Sequence, residues 1–236
     1  MNVTLIRHTL APEELAAMGA RLCYSKADID TLRERVETHQ QAQFIHQLID
    51  RGHESALEHV TFTFGIEGVS RVLLAQITRH RLASFSVQSQ RYVAMKDGFT
   101  YVTPPRIEAL GEEAVKRYQT QMEMMAGWYA GWLDVLGPDG AEDARFVLPG
   151  ACETRMMVTM NVRELRHFFS LRCCRRAQWE IRQLADEMLR LCHEVAPNLF
   201  FDAGPGCVRG ECPEGSKSCG DWRGYEIDKM LGRVDE

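Results

Sequence analysis

The chain has 236 residues, enough for one large domain or two small ones around a substantial core. Apolar content of 45% and charged content of 26% are ordinary for a globular protein, and apolar runs such as Val72 to Ala75 are far too short for a membrane span. A formal net charge of -5 argues against broad nucleic-acid binding. Met1 to His8 carries no signal-like apolar region, so the eight cysteines are expected to be reduced in a cytoplasm.

Pro12 to Tyr24 predicts a helix, with proline at an early position and apolar residues at helical spacing. A longer helix is expected from about Asp30 to Asp50, with Leu32, Val36, Phe44, Ile45 and Leu48 toward the core. Ser55 and Glu58 have the spacing of a capping box, in which hydroxyl and carboxylate satisfy free backbone donors. His59 to Ile66 alternates as a strand does, and Arg71 to Arg81 returns to helical periodicity.

Pro104-Pro105 breaks the middle of the chain, and Glu112 to Leu136 predicts a long helix ended by Gly137-Pro138-Asp139-Gly140. A short helix over Ala141 to Val147 stops at Pro149-Gly150. Thr154 to Met160 reads as a second strand, followed by helices over roughly 163–172 and 177–195. After Pro197 the chain is rich in Gly, Pro and Cys and is expected to be irregular. The expected fold class is α+β. Residues 1–200 would form a single domain of long helices on a small antiparallel sheet, with 201–236 as a tail.

Residues 79 to 91 hold three arginines, one histidine, three hydroxyls and no acid. Planar guanidinium groups grip phosphate or carboxylate oxygens in pairs, so the stretch suits an anionic ligand; a solvated basic surface is the other reading. The use of 23 Arg against 5 Lys favours the ligand, because a face kept basic for solubility would mix the two. A second block, Arg155 to Arg182, has seven arginines and two glutamates. Asn161 can cap the helix that follows, with Glu164 reaching back to complete a capping box. Leu165, Phe168 and Phe169 form its apolar stripe, and Arg172 falls on the same stripe. An arginine directed at a core face needs an anion, either a ligand or a buried acid of the same chain. Arg163 and His167 share another face at i, i+4, beside a helix N-terminus that suits phosphate or is simply a cap.

Arg79-His80-Arg81, seven residues, Ser89 and then Arg91-Tyr92 resemble the signature of the flavin-dependent thymidylate synthases. Gly52-His53-Glu54-Ser55 with Glu58-His59, Arg145 to Pro149, Asn161-Val162-Arg163, and Leu171-Arg172 with Ala177 to Glu180 resemble further blocks of that family. The resemblance covers about residues 50 to 195. It implies reductive methylation of dUMP to dTMP, with methylenetetrahydrofolate giving the carbon and FAD, reduced by NADPH, the hydride. It also implies a homotetramer whose active sites combine residues from several subunits.

On the same resemblance, FAD would be held by Ser55, Arg79, His80, Arg81, Val87, Asn161, Arg163 and His167. The nucleotide would be held by Gln76, Arg79, Ser89, Gln90, Arg91, Arg145 and Arg172, with Arg172 the catalytic group that stabilises the uracil ring ionised at N3. Where many members have Glu or Gln, this chain has Ser86-Val87-Gln88, so either Gln88 takes that role or the position is tolerant. His167 stands where some members have Asn, and Arg176 where some have His.

Other chemistry is weaker. Cys173-Cys174 sit beside Arg175 and Arg176, which would depress a thiol pKa, yet free cysteines more often pack. Cys207, Cys212 and Cys219 are unevenly spaced and lack a Cys-x-x-Cys pair, so no metal is expected. His53, Glu54, Glu58 and His59 do not have metal-helix spacing. The competing class is a non-catalytic nucleotide or RNA-binding module, with Phe85, Tyr92 and Trp179 as stacking surfaces.

Overall fold

The computed structural model describes residues 1–233. Strand β1 (Asn2–His8) leads to helix α1 (Pro12–Leu22), in which Pro12 sits in the first turn. Helices α2 (Ile29–Glu37) and α3 (Ala42–Asp50) replace the single long helix expected over Asp30 to Asp50. The break is polar. Thr38 Oγ1 donates to the Glu34 carbonyl at 2.9 Å and Gln41 Nε2 to the Val36 carbonyl at 2.8 Å, so side chains satisfy the end of α2 where a continued helix would have done so. Asp28 caps the start of α2 by accepting from Thr31 N at 2.8 Å.

A 3₁₀ turn, Glu54–His59, replaces the capping box expected at Ser55, and Glu58 pairs with Arg163 instead of a backbone donor. Strand β2 (Thr61–Ser70) buries Phe62, Phe64 and Ile66 at period two. Ser70 Oγ accepts from Leu73 N at 3.0 Å and so caps α4 (Arg71–Ile77). Helix α4 ends four residues before the expected Arg81, and the basic stretch beyond it forms strand β3 (Ala83–Val87), which the periodicity did not suggest.

The short α5 (Pro105–Glu108) precedes α6 (Glu112–Leu136), which matches its expected bounds. Gly137 stops α6 with φ +79, a conformation that favours glycine. Then come α7 (Ala141–Ala144), the 3₁₀ turn Arg145–Val147, β4 (Glu153–Asn161), α8 (Val162–Arg172) and α9 (Trp179–Val195). The segment after Pro197 is more ordered than its composition suggests, with two 3₁₀ turns and α10 (Gly224–Met230). The four strands form one antiparallel sheet in the order β1-β2-β4-β3.

By contacts the chain forms two compact units. The first comprises residues 1–2, 66–79 and 85–157. Its α6 packs Tyr129 and Leu133 on Ala141 and Ala144, with Met95, Val147 and Leu148 against them. The second comprises residues 3–65, 80–84 and, among the described residues, 158–233. There Phe200 stacks edge-on against Phe62 at 5.7 Å and Phe169 at 5.9 Å, and all three are fully buried. Removing each such ring from water contributes about 1.5–3 kcal/mol.

The tail is fastened to this second unit by Arg223. Its guanidinium meets the Asp186 carboxylate at 3.0 and 3.2 Å, Glu226 at 2.9 Å and the Cys173 carbonyl. Ile227 of α10 is fully buried. No helix among the described residues is long and apolar enough to cross a membrane.

Candidate functional site

Gln76, Arg79, Ser89, Gln90, Arg91 and Arg145, expected from the sequence to hold the nucleotide, lie in the first unit, where Arg91 and Arg145 both reach Glu142. Arg91 Nη2 reaches Glu142 Oε2 at 2.9 Å, and Arg145 Nε donates to the Glu142 carbonyl at 2.9 Å. The turn after β3 shapes this approach. Arg91 N donates to Ser89 Oγ at 3.2 Å, and Val93 N to the Ser89 carbonyl at 3.1 Å. Gln90 Nε2 lies 3.6 Å from Cys152 Sγ, whose thiol burial pushes up from its usual range. Val87 closes β3, half-buried. Gln76 is half-buried in the last turn of α4, and the exposed Arg79 follows in a turn, its N–H bonded to the Gln76 carbonyl at 3.3 Å.

Of the residues expected from the sequence to hold a flavin, Asn161, Arg163 and His167 line one open cavity of about 600 Å³ in the second unit, together with Glu54, Glu58 and Arg209. Asn161 caps α8 as expected, accepting from Glu164 N at 2.9 Å. Arg163 and His167 both face outward on α8, and Arg163 is paired with Glu58, which raises its pKa. An exposed guanidinium, an imidazole and a helix N-terminus form a donor set that suits a diphosphate. Ser55 does not join them. It lines a separate cavity of about 420 Å³ with His53, His59, Tyr24 and Phe44. Arg81 is exposed.

Three arginines differ from expectation. Arg166, not singled out by the sequence, is the buried one, at 1% exposure. It meets Asp202 at 2.8 Å, the Leu199 carbonyl at 2.8 Å and Glu54 at 3.6 Å. Its apolar neighbours in α8 hid it, and its acidic partners are distant in sequence. Arg175 and Arg176 are occupied by the tail. Arg175 pairs with Asp221 at 2.8 Å and with Glu226, and Arg176 with Glu214 at 3.1 Å. Much of the second block's positive charge therefore holds the C-terminal segment down.

Arg172 lies half-buried in a cavity of about 570 Å³, whose wall includes Cys174, Cys207, Cys212 and Cys219. Its Nε donates to His80 Nε2 at 3.1 Å, and His80 Nδ1 lies 2.9 Å from Glu164 Oε1. Glu164 thus goes to His80 rather than back to the helix start, which corrects the expected capping box. A buried imidazole N–H away from water needs that acceptor more than an accessible helix end does. Burial holds the His80 pKa below its usual value, the Glu164 bond opposes this, and the Arg172 charge adds to it.

Cys173 behaves as a packing residue. Burial raises its pKa well above the usual range, against the depression that neighbouring arginines suggested. Among the described residues, no group of three or more His, Cys, Asp and Glu is placed to hold a metal.

Residues 4–198 match the family model described as thymidylate synthase complementing protein. The chain is 52% identical over 232 residues to the flavin-dependent thymidylate synthase of Geobacter sulfurreducens, covering 98% of each chain. It is 48% identical to that of Nitratidesulfovibrio vulgaris, covering 93% of this chain and 94% of the other. The fold is similar to a solved flavin-dependent thymidylate synthase from Helicobacter pylori in complex with FAD and dUMP. The TM-score is 0.64 at 24% identity, over 86% of this chain and 100% of that one. None of these proteins is named as a non-catalytic nucleotide or RNA-binding module, and that alternative finds no support. The chain belongs to the flavin-dependent thymidylate synthase family.

Proposed function

We propose that the protein methylates dUMP at C5 to give dTMP, taking the carbon from 5,10-methylenetetrahydrofolate. The observation that carries this reading is the convergence of Arg91 and Arg145 on Glu142, within a chain of this family. Arg91 holds the Glu142 carboxylate and Arg145 the main-chain carbonyl of the same residue, so two guanidinium groups fifty-four positions apart come to one place, and a phosphate can take the carboxylate's position on Arg91. Ser89, Gln90, Gln76 and Arg79 complete the nucleotide's hydrogen bonds, and Arg172 stabilises the negative charge that develops at uracil N3.

The donors lining the cavity at the start of α8 fit FAD: Asn161, Arg163 and His167 would hold it, with Ser55, Arg79, His80, Arg81 and Val87 as further contacts. FAD reduced by NADPH would supply the hydride. The protein's own groups bind, orient and polarise. We place the protein in the cytoplasm as a homotetramer. The stripe of Met124, Trp128, Trp132 and Val135 on α6, each at least half exposed, supports assembly through that helix.

The test is direct. Purified protein should be yellow, and with the folate and NADPH it should release tritium from C5-labelled dUMP. Colourless protein that cannot be reconstituted with FAD, or protein that releases no tritium, overturns the reading.

A further inference from the structure

Glu164 is 6% exposed and is outside every ligand set given above. A carboxylate that far from water needs a structural or functional reason, because its desolvation is costly. Its partner is the His80 ring, also 6% exposed, and the second nitrogen of that ring takes a bond from Arg172. The chemistry of the three groups fixes the proton. Arg172 Nε is a donor only, so His80 Nε2 must carry the lone pair. The ring proton therefore sits at Nδ1 and is donated to Glu164, whose carboxylate accepts. Phe168 holds the ring edge-on at 4.9 Å.

We propose that Glu164 is a positioning residue for Arg172, acting through His80. The carboxylate selects the Nδ1–H tautomer, and the lone pair left on Nε2 then aligns the Arg172 guanidinium for its ligand. A hydroxyl or amide in place of Glu164 can donate as well as accept, and so permits the tautomer that turns an N–H toward Arg172. The inference rests on the reading that Arg172 serves dUMP. It extends that reading, because it makes an arginine at the end of α8 depend on an acid two turns earlier on the same helix. The charged and titratable groups acting on His80 are Glu164, Arg172 and His167.

The experiment uses the full chain with FAD. Nitrogen-15 NMR of labelled histidine, assigned against His80→Gln, should find His80 neutral and protonated at Nδ1 near pH 8. Glu164→Gln should keep its flavin but lose about 10–100-fold in kcat, the usual cost of removing a group that orients an active residue. Glu164→Asp should recover part of that loss, and it stands in should the Gln variant fail to fold. The acid limb of the kcat/KM profile should move to lower pH in Glu164→Gln, because the group that raises the His80 pKa is gone.

A purely structural Glu164 would lower the yield of folded protein and leave per-flavin kcat and the acid limb in place. An Nε2–H tautomer, or a per-flavin kcat within about 2-fold of wild type with an unmoved limb, overturns the inference alone. Wild-type protein that releases no tritium overturns the parent reading and this one with it.

Discussion

Arg91 and Glu142 stand in contact, Nη2 to Oε2 at 2.9 Å, although fifty-one positions separate them in sequence. Each side chain is about half exposed, so the pair is screened by water and little is lost by breaking it. A phosphate dianion that accepts from the same fork takes Arg91 over at small cost. Arg91→Ala is therefore expected to raise the KM for dUMP at least about 10-fold, and Arg91→Lys to restore little, since an ammonium lacks the two-pronged geometry. Glu142→Gln should leave stability unchanged and shift KM by no more than about 3-fold. Steady-state kinetics at fixed ionic strength reads both. A KM for Arg91→Ala equal to wild type removes the phosphate from this site.

Arg172→Ala should nearly abolish turnover while the protein stays yellow, because the role proposed for the lost group is to stabilise charge on the nucleotide rather than to hold the flavin. Tritium release and the visible spectrum, measured on one preparation, separate the two effects. Turnover comparable to wild type ends the role assigned to Arg172.

The sequence displayed the residue types of this site better than their partners. Helix α6 was legible to its ends because Gly137 and Pro138 terminate it through backbone constraints alone. The break between α2 and α3 was hidden, since it depends on Thr38 and Gln41 bonding to nearby carbonyls, and an apolar pattern ignores such bonds. Strand β1 escaped because it is an edge strand with most residues exposed, which leaves little alternation to read. Periodicity put Arg172 on the core stripe of α8, but the fully buried arginine is Arg166, whose partners Asp202 and Leu199 arrive from more than thirty positions away. Glu164 looked like a helix cap because its true partner, His80, is eighty-four positions distant.

Removing the Arg166 guanidinium should be costly to the fold. Its loss leaves its three partners, two acids and a carbonyl, without their cation, and breaking a buried pair from one side costs about 3–5 kcal/mol. Arg166→Ala is expected to lower the urea midpoint accordingly, with Arg166→Lys failing to rescue it because one ammonium cannot reach all three acceptors. An unchanged midpoint in Arg166→Ala would mean that the cluster is solvated in solution.

Stability should fall on the acid side of neutrality. Burial lowers the pKa of both His80 and His193, with Arg172 and Arg233 respectively adding to the effect. Each is therefore neutral in the folded chain at a pH where the unfolded chain already binds a proton. That contribution is fully present above the unfolded value of about 6.5 and is lost as pH falls toward the lower folded value. Urea midpoints from pH 8 down to 5.5 should drop, and His193→Gln, outside the proposed site, should make the slope shallower. A flat line across that range, or an unaltered slope in the variant, contradicts the direction of both shifts.

The last prediction concerns α6. Met124, Trp128 and Trp132 recur every four residues, so they share one face of the helix, and they are 52%, 55% and 50% exposed. Val135, at 76%, extends that face by one turn. Tryptophans left half in water along a single stripe forgo a large transfer free energy unless another surface covers them. A second copy of the chain meets that need, and helices offering such stripes to each other build closed symmetric assemblies. Trp128→Glu with Trp132→Glu places like charges into that contact without touching the buried Tyr129 or Leu133. Light scattering after size exclusion should then find fewer chains per particle than in the wild type, with helical content by circular dichroism retained. A variant that still elutes with the mass of the wild-type assembly shows that the copies meet through some other face.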